Sequence, residues 1–367
     1  MKCTNKKHTR IAFLKTHKTG GSTFTSILNR FVDNNFLDIA IPVNDVRFNW
    51  PAPFSHQYVQ LSRLKDKHAD VLNNHCVLNR RELSKVMKPG YRLVTILRDP
   101  VRQFYSMFHY LNLPKHYNLR NESDPVSVFI KNPQKYHHYK PYLKVGREKY
   151  FEENLIHNGN LYDLNFMRFR ESGDTERGLK DFITYMEKAF HLVMITEKYD
   201  ESLILLKNLM CWEFMDIVYE KRLVNPDLKN ISQNITDEVK RDIQDWNYQD
   251  KVLYDHFSQR LDKIIALQDQ KKFRDDVTNF RKLNNAVLNF CANATGNGDY
   301  SIDKFNNIVE ILKTLGEDLQ KGFMEKPECF CKKLKRRERD YLTFFAKRFP
   351  PFYFVKTFAR PQSKNDC

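Results

Sequence analysis

Two short segments of this chain combine residue types that can handle an anionic group and move a proton. The first is Lys15-Thr16-His17-Lys18-Thr19-Gly20-Gly21-Ser22-Thr23. It follows an apolar run at Ile11 to Leu14 and precedes a helical pattern, with Phe24, Ile27, Leu28, Phe31 and Val32 on one face. Backbone N–H groups at a helix start are unpaired and carry positive potential, so this arrangement cradles an anion. The glycines allow close approach, Thr16, Thr19, Ser22 and Thr23 add hydroxyls, and Lys15 and Lys18 add full charges. His17 lies among those cations, and an imidazole there is a candidate general base.

The second segment is Leu93 to Leu97 followed by Arg98-Asp99-Pro100. The apolar run reads as a buried strand, Asp99 as an N-cap and Pro100 as the first helical residue. Arg98 at the strand end can bind a phosphate with two N–H groups, and Ser106, eight residues later, can donate to the same group. The loop is not a Walker A sequence. There a lysine follows the last glycine, whereas here Lys18 precedes both glycines and no lysine follows them. A nucleoside triphosphate kinase is therefore disfavoured.

The elements that position these residues alternate strand and helix through the first half. Ile39 to Val43 and Leu192 to Ile195 read as further strands, the latter followed by a helix from about Asp200 through Met210. Ser22 or Thr23 is the expected cap of the first helix. This is an α/β pattern: a P-loop-type parallel sheet flanked by helices. From Thr236 onward the pattern is helical. One amphipathic helix carries Val239, Ile243, Trp246, Leu253, Tyr254, Phe257 and Leu261, and another runs from Ile302 to Leu315. The division read from this is an α/β domain over 8–270 and a helical C-terminal extension over 271–367, packed on the same domain.

The 367 residues are 41% hydrophobic, enough for a sizeable core. Against 45 acidic residues stand 61 Lys and Arg, a net charge of +16 that favours anionic partners without choosing among them. The basic run at residues 332–339 reads as a solvated helix face, because no stacking aromatics interleave with it; nucleic acid is set aside as a partner. Seven cysteines leave room for one or two disulfides of unreadable connectivity, and no zinc-ligand spacing occurs. No secretory signal and no 18-residue apolar run is present. Sequons stand at Asn121, Asn230, Asn234 and Asn293.

The loop F-L-K-T-H-K-T-G-G-S-T resembles the 5′-phosphosulfate loop of Golgi sulfotransferases, most closely that of the galactose 3-O-sulfotransferase family. V-T-I-L-R-D-P-V-R-Q-F-Y-S-M-F-H-Y, from Val94 to Tyr110, resembles its 3′-phosphate segment. Asn74-His75, the stretch Asn158 to Phe166, the stretch Phe190 to Trp212 and W-N-x-x-D-x-x-L-Y-x-x-F from Trp246 to Phe257 resemble further family blocks in order. One block departs at Asn165, where the family has Gly, near a loop read as facing the acceptor.

The resemblance implies transfer of the sulfuryl group of 3′-phosphoadenylyl sulfate (PAPS) to a hydroxyl of a glycolipid or glycan, expected to be the galactose 3-hydroxyl. It implies His17 as base, with His75 as second choice, and Lys18 on the bridging oxygen. Lys15 to Thr23 would hold the 5′-phosphosulfate, and Arg98 and Ser106 the 3′-phosphate, with no metal required. A Golgi location and membrane association follow from the resemblance alone, and the family's N-terminal anchor is absent from this chain. The alternatives are another P-loop transferase such as a kinase, or a non-catalytic glycan- or polyanion-binding protein.

Overall fold

The structure, a computed structural model, describes residues 6–43, 46–137, 151–167, 175–222, 235–292, 301–318 and 327–348. Four parallel strands form its sheet: β1 (Ile11–Leu14), β2 (Val71–Leu72), β3 (Arg92–Leu97) and β4 (Leu192–Ile195). Their order is β2-β1-β3-β4, with Ile11 opposite both Val71 and Arg92, and Val94 opposite Leu192. Every residue of β1 and β4 is buried, as continuous apolar runs require in a sheet covered on both faces. The chain leaves β1 toward β2 on one side and later returns to β3 on the other. Loops diverge at such a switch point, opening a crevice at the carboxyl ends of β1 and β3.

Helix α1 (Gly21–Asn35) follows β1, α2 (Pro100–Tyr110) follows β3, and α5 (Tyr199–Met210) follows β4. Between them lie α3 (Gly159–Asp163) and α4 (Thr175–Ala189). Asp99 caps α2 as its sequence predicts, its side chain accepting from the Arg102 N–H, with Pro100 in the first turn. The rest is helical: α6 (Asp237–Trp246), α7 (Tyr248–Ala266), α8 (Gln270–Ala292), α9 (Ile302–Thr314), α10 (Pro327–Lys335) and α11 (Glu338–Arg348). One hydrophobic core runs from Ile11 through Phe280 to Phe345, so α7 to α11 share the core of the sheet, whereas Val239 and Ile243 of α6 pack with Phe104 and Phe108 of α2 in a second cluster. A disulfide joins Cys291 of α8 to Cys331 of α10.

Four expectations need correction. Ile39 to Val43 is not a strand: it makes only isolated bridges, Ile39 to Val71 and Pro42 to Val59, and Val71–Leu72 supplies the edge strand. Gly20, not Ser22 or Thr23, is the N-cap of α1, since its left-handed backbone (φ 85°) lets the helix begin two or three residues earlier. The helix expected across Val239 to Leu261 is two, broken at Asn247, whose side chain turns back to the Ile243 carbonyl. The basic run at 332–339 is only partly solvated. Lys333 and Arg336 reach the buried Asp33 of α1 at 3.2 and 3.7 Å, and Lys335 donates to the Cys291 carbonyl.

Candidate active site

The loop between β1 and α1 is built from internal bonds. The Thr16 hydroxyl donates to the Ile96 carbonyl at 2.5 Å and lies 2.9 Å from the Thr19 hydroxyl, tying the loop to β3. Thr196, just after β4, donates to the Thr19 and Leu97 carbonyls. Three strand ends therefore hold one loop. Gly20 lies over Tyr199, and a Cβ on Gly21 would come within 3.0 Å of the Lys15 side chain. No side chain caps α1. The Thr23 N–H turns back to the Gly20 carbonyl at 3.0 Å, so among the described residues it is the Gly21 and Ser22 N–H groups that stay open to an outside acceptor.

His17 is 6% exposed and fixed from three sides. Its backbone N–H and its Nδ1 both reach Asp163 Oδ2, at 2.7 and 2.9 Å. Its ring stacks on His75 with centroids 3.9 Å apart, and Trp50 lies against it at 4.8 Å. Asp163, fully buried at the end of α3, also accepts from Trp50 Nε1 at 2.8 Å. A carboxylate on Nδ1 keeps the proton there and leaves Nε2 with its lone pair. Nε2 is buried and has no hydrogen-bond partner among the described residues. Orphaned buried nitrogens are costly unless something else meets them.

His75 donates from Nδ1 to the Lys15 carbonyl at 3.1 Å. Burial holds its pKa well below the usual histidine range, and the nearby His17, Lys15 and Arg47 charges act the same way. It is a neutral ring at physiological pH, supporting His17 from behind.

Lys18 adopts a left-handed backbone (φ 59°), which is costly for a residue with a Cβ. Its carbonyl accepts from Arg98 at 2.9 Å, and its ammonium lies 4.3 Å above the Tyr110 ring. Burial, then the Arg98 charge, lowers the Lys18 pKa. Burial likewise lowers that of Arg98, whose Nε has no hydrogen-bond partner among the described residues. Two desolvated cations side by side are stabilised by an anion between them.

The structure brings Lys15, Thr16, His17, Lys18, Thr19, Gly20, Gly21, His75 and Arg98 together, but not every predicted residue reaches this point freely. Lys15 is bound to Glu338 of α11 at 2.7 Å, and Asn74 donates to the same carboxylate at 3.1 Å. The Thr23 hydroxyl accepts from the Arg222 N–H. Ser22 stands in the first turn of α1. Ser106 is 8% exposed on α2, and among the described residues no hydrogen bond joins it to Arg98.

Asp163 and Trp50 went unread in the sequence as partners of His17. Asp163 stood inside the family-like block at 158–166, which was the one available signal. Asn165 in that block has a left-handed backbone (φ 66°) and donates to the Leu78 carbonyl. Glycine and asparagine are the residues that adopt this conformation most readily, so the departure from the family's Gly has a backbone reason.

A parallel sheet whose switch point holds a lysine- and glycine-bearing loop, a histidine–aspartate pair and two crowded cations is an architecture that suits a transferase. The family model for galactose-3-O-sulfotransferase matches residues 2–348, and the chain belongs to that family. It is 27% identical over 341 residues to galactosylceramide sulfotransferase of Mus musculus, covering 91% of this chain and 77% of that protein. Over 289 residues it is 32% identical to galactose-3-O-sulfotransferase 3 of Mus musculus, covering 78% and 64%. Galactose-3-O-sulfotransferase 2 of Homo sapiens matches at 27% over 354 residues, covering 93% and 84%.

Proposed function

We propose that this chain transfers the sulfuryl group of PAPS to a hydroxyl of a galactose-bearing glycolipid or glycan, with His17 as general base. The observation that carries this reading is the orphaned His17 Nε2, aligned by Asp163 beside the anion loop. The donor supplies an activated sulfuryl group on a phosphate. His17 Nε2 takes the proton of the acceptor hydroxyl as its oxygen bonds to sulfur. Asp163 stabilises the imidazolium so formed. Lys18 and the α1 N-terminus offset the negative charge that collects on the departing phosphate oxygen. Arg98, with its free Nε, suits the 3′-phosphate.

The Cys291–Cys331 disulfide supports an oxidising compartment, consistent with a Golgi lumenal setting. Asn121 of the first sequon is exposed; the asparagines of the other three lie outside the described residues. Among the described residues, no helix is long and apolar enough to cross a membrane.

The test is transfer of labelled sulfate from PAPS to a panel of galactose-terminated glycolipids and oligosaccharides, followed by linkage analysis. His17→Ala and Lys18→Ala should each cut turnover by orders of magnitude in a folded protein. Near wild-type rates in both would refute the assignment.

A further inference from the structure

Two of the family-like blocks, Asn158 to Phe166 and Trp246 to Phe257, meet in space and lock together. Helix α3 has only five residues, too few to hold itself. Its N-cap, Asn158, is left-handed (φ 53°) and its side chain caps nothing within the helix. The capping comes from α7 instead. Asp250 Oδ2 accepts from the Asn160 N–H at 2.8 Å and from Asn160 Nδ2 at 3.1 Å, and its Oδ1 accepts from the Leu161 N–H at 2.9 Å. Asn247 Oδ1 accepts from the Asn158 N–H at 2.7 Å, and Asn158 Oδ1 accepts from the Asp250 N–H at 2.9 Å. Asn247 and Asp250 are each 1% exposed.

At the far end of the same short helix is Asp163, which grips His17. The near end also faces the donor loop: a Cβ on Gly159 would lie 2.8 Å from Gln103 Nε2, and that amide donates to the His17 carbonyl at 3.4 Å. Burial, with the Asp163 charge adding to it, pushes the Asp250 carboxyl up to about 7, so this carboxyl is kept at an electrostatic cost. A bracket fastened at one end and carrying the orienting carboxylate at the other transmits its placement to the histidine.

We infer that Asn247 and Asp250 are positioning residues for sulfuryl transfer, clamping the Asn158–Leu161 backbone so that Asp163 holds His17 in its proton-accepting tautomer. This rests on the reading of His17 as base.

The test uses the full chain with Asp250→Asn and Asn247→Ala, each alone and combined with His17→Ala. Thermal melts, calorimetric binding of 3′-phosphoadenosine 5′-phosphate and single-turnover sulfate transfer are measured. Each clamp variant should lower the transfer rate 10- to 100-fold while nucleotide affinity stays within 3-fold. Added to His17→Ala, it should cost less than 2-fold, because the residue it positions is already gone. Equal costs in both backgrounds, or rate and affinity falling together, would overturn the inference. If Asp250→Asn does not fold, Asn247→Ala carries the same comparison. Failure of the base reading is a separate result: His17→Ala alone would then stay within 3-fold of wild type.

Discussion

Asp163→Asn probes the site at its centre. The carboxylate is fully buried and takes three donors: the His17 N–H at 2.7 Å, His17 Nδ1 at 2.9 Å and Trp50 Nε1 at 2.8 Å. An amide has one acceptor oxygen and one donor group, so it cannot serve all three. Its NH2 group turned toward Nδ1 would select the tautomer with the proton on Nε2, which cannot accept one. Losing the charge also removes a charge-assisted bond worth about 1.5–3 kcal/mol. With the tautomer penalty the total is about 2–4 kcal/mol, or roughly 30- to 1000-fold in kcat at 1.36 kcal/mol per decade. Lys18, Arg98 and the start of α1 are untouched, so affinity for 3′-phosphoadenosine 5′-phosphate should change by less than about 3-fold. The assay is steady-state sulfate transfer at saturating donor, at a temperature where melting curves show the variant folded. A folded variant with kcat within 3-fold of wild type would show that the pair does no orienting.

Three further outcomes are expected. Arg98→Ala should weaken binding of 3′-phosphoadenosine 5′-phosphate by about 10- to 100-fold and of adenosine 5′-phosphate far less; equal calorimetric losses would rule out a 3′-phosphate role. Because folded His75 titrates well below 6.5, the unfolded chain binds a proton there first, and stability falls as pH drops below 6.5. His75→Gln should remove that contribution, at most about 1.4 kcal/mol per pH unit, in denaturant titrations from pH 7 to 5; an unchanged slope would contradict it. Asp33→Ala strips the 3%-exposed partner of Lys333, Arg336 and Arg348 and should cost about 3–5 kcal/mol by urea denaturation. A loss under about 1 kcal/mol would mean these cations are solvated after all.

What the sequence disclosed was whatever is encoded locally. The run Ile11 to Leu14, the turn at Gly20 and the Asp99-Pro100 helix start all act on their immediate neighbours, and they read correctly as strand, loop and capped helix. Ile39 to Val43 misled because an apolar run says nothing about whether a neighbouring strand is there to pair with it. The cap of α1 slipped by two or three residues because Gly20 acts through φ, which competes unseen with the hydroxyls that usually cap. Asp163 reaches His17 across 146 positions and Asp250 reaches Asn160 across 90. Such pairings depend on how helices pack, and no periodicity records them. The Lys333 and Arg336 ion pairs stayed hidden for the same reason.

The contact between Lys15 and Glu338 spans 323 positions, almost the whole described chain. The strand and loop that carry Lys15 are translated long before the helix that neutralises it. A nascent chain must therefore carry an uncovered cationic loop and an unfinished core face on α1 until α10 and α11 are made. Truncation near residue 330 would remove no residue proposed to touch donor or acceptor. It would leave that loop with an unmatched buried charge, and loss of folding, rather than loss of chemistry, is what such a truncation would report.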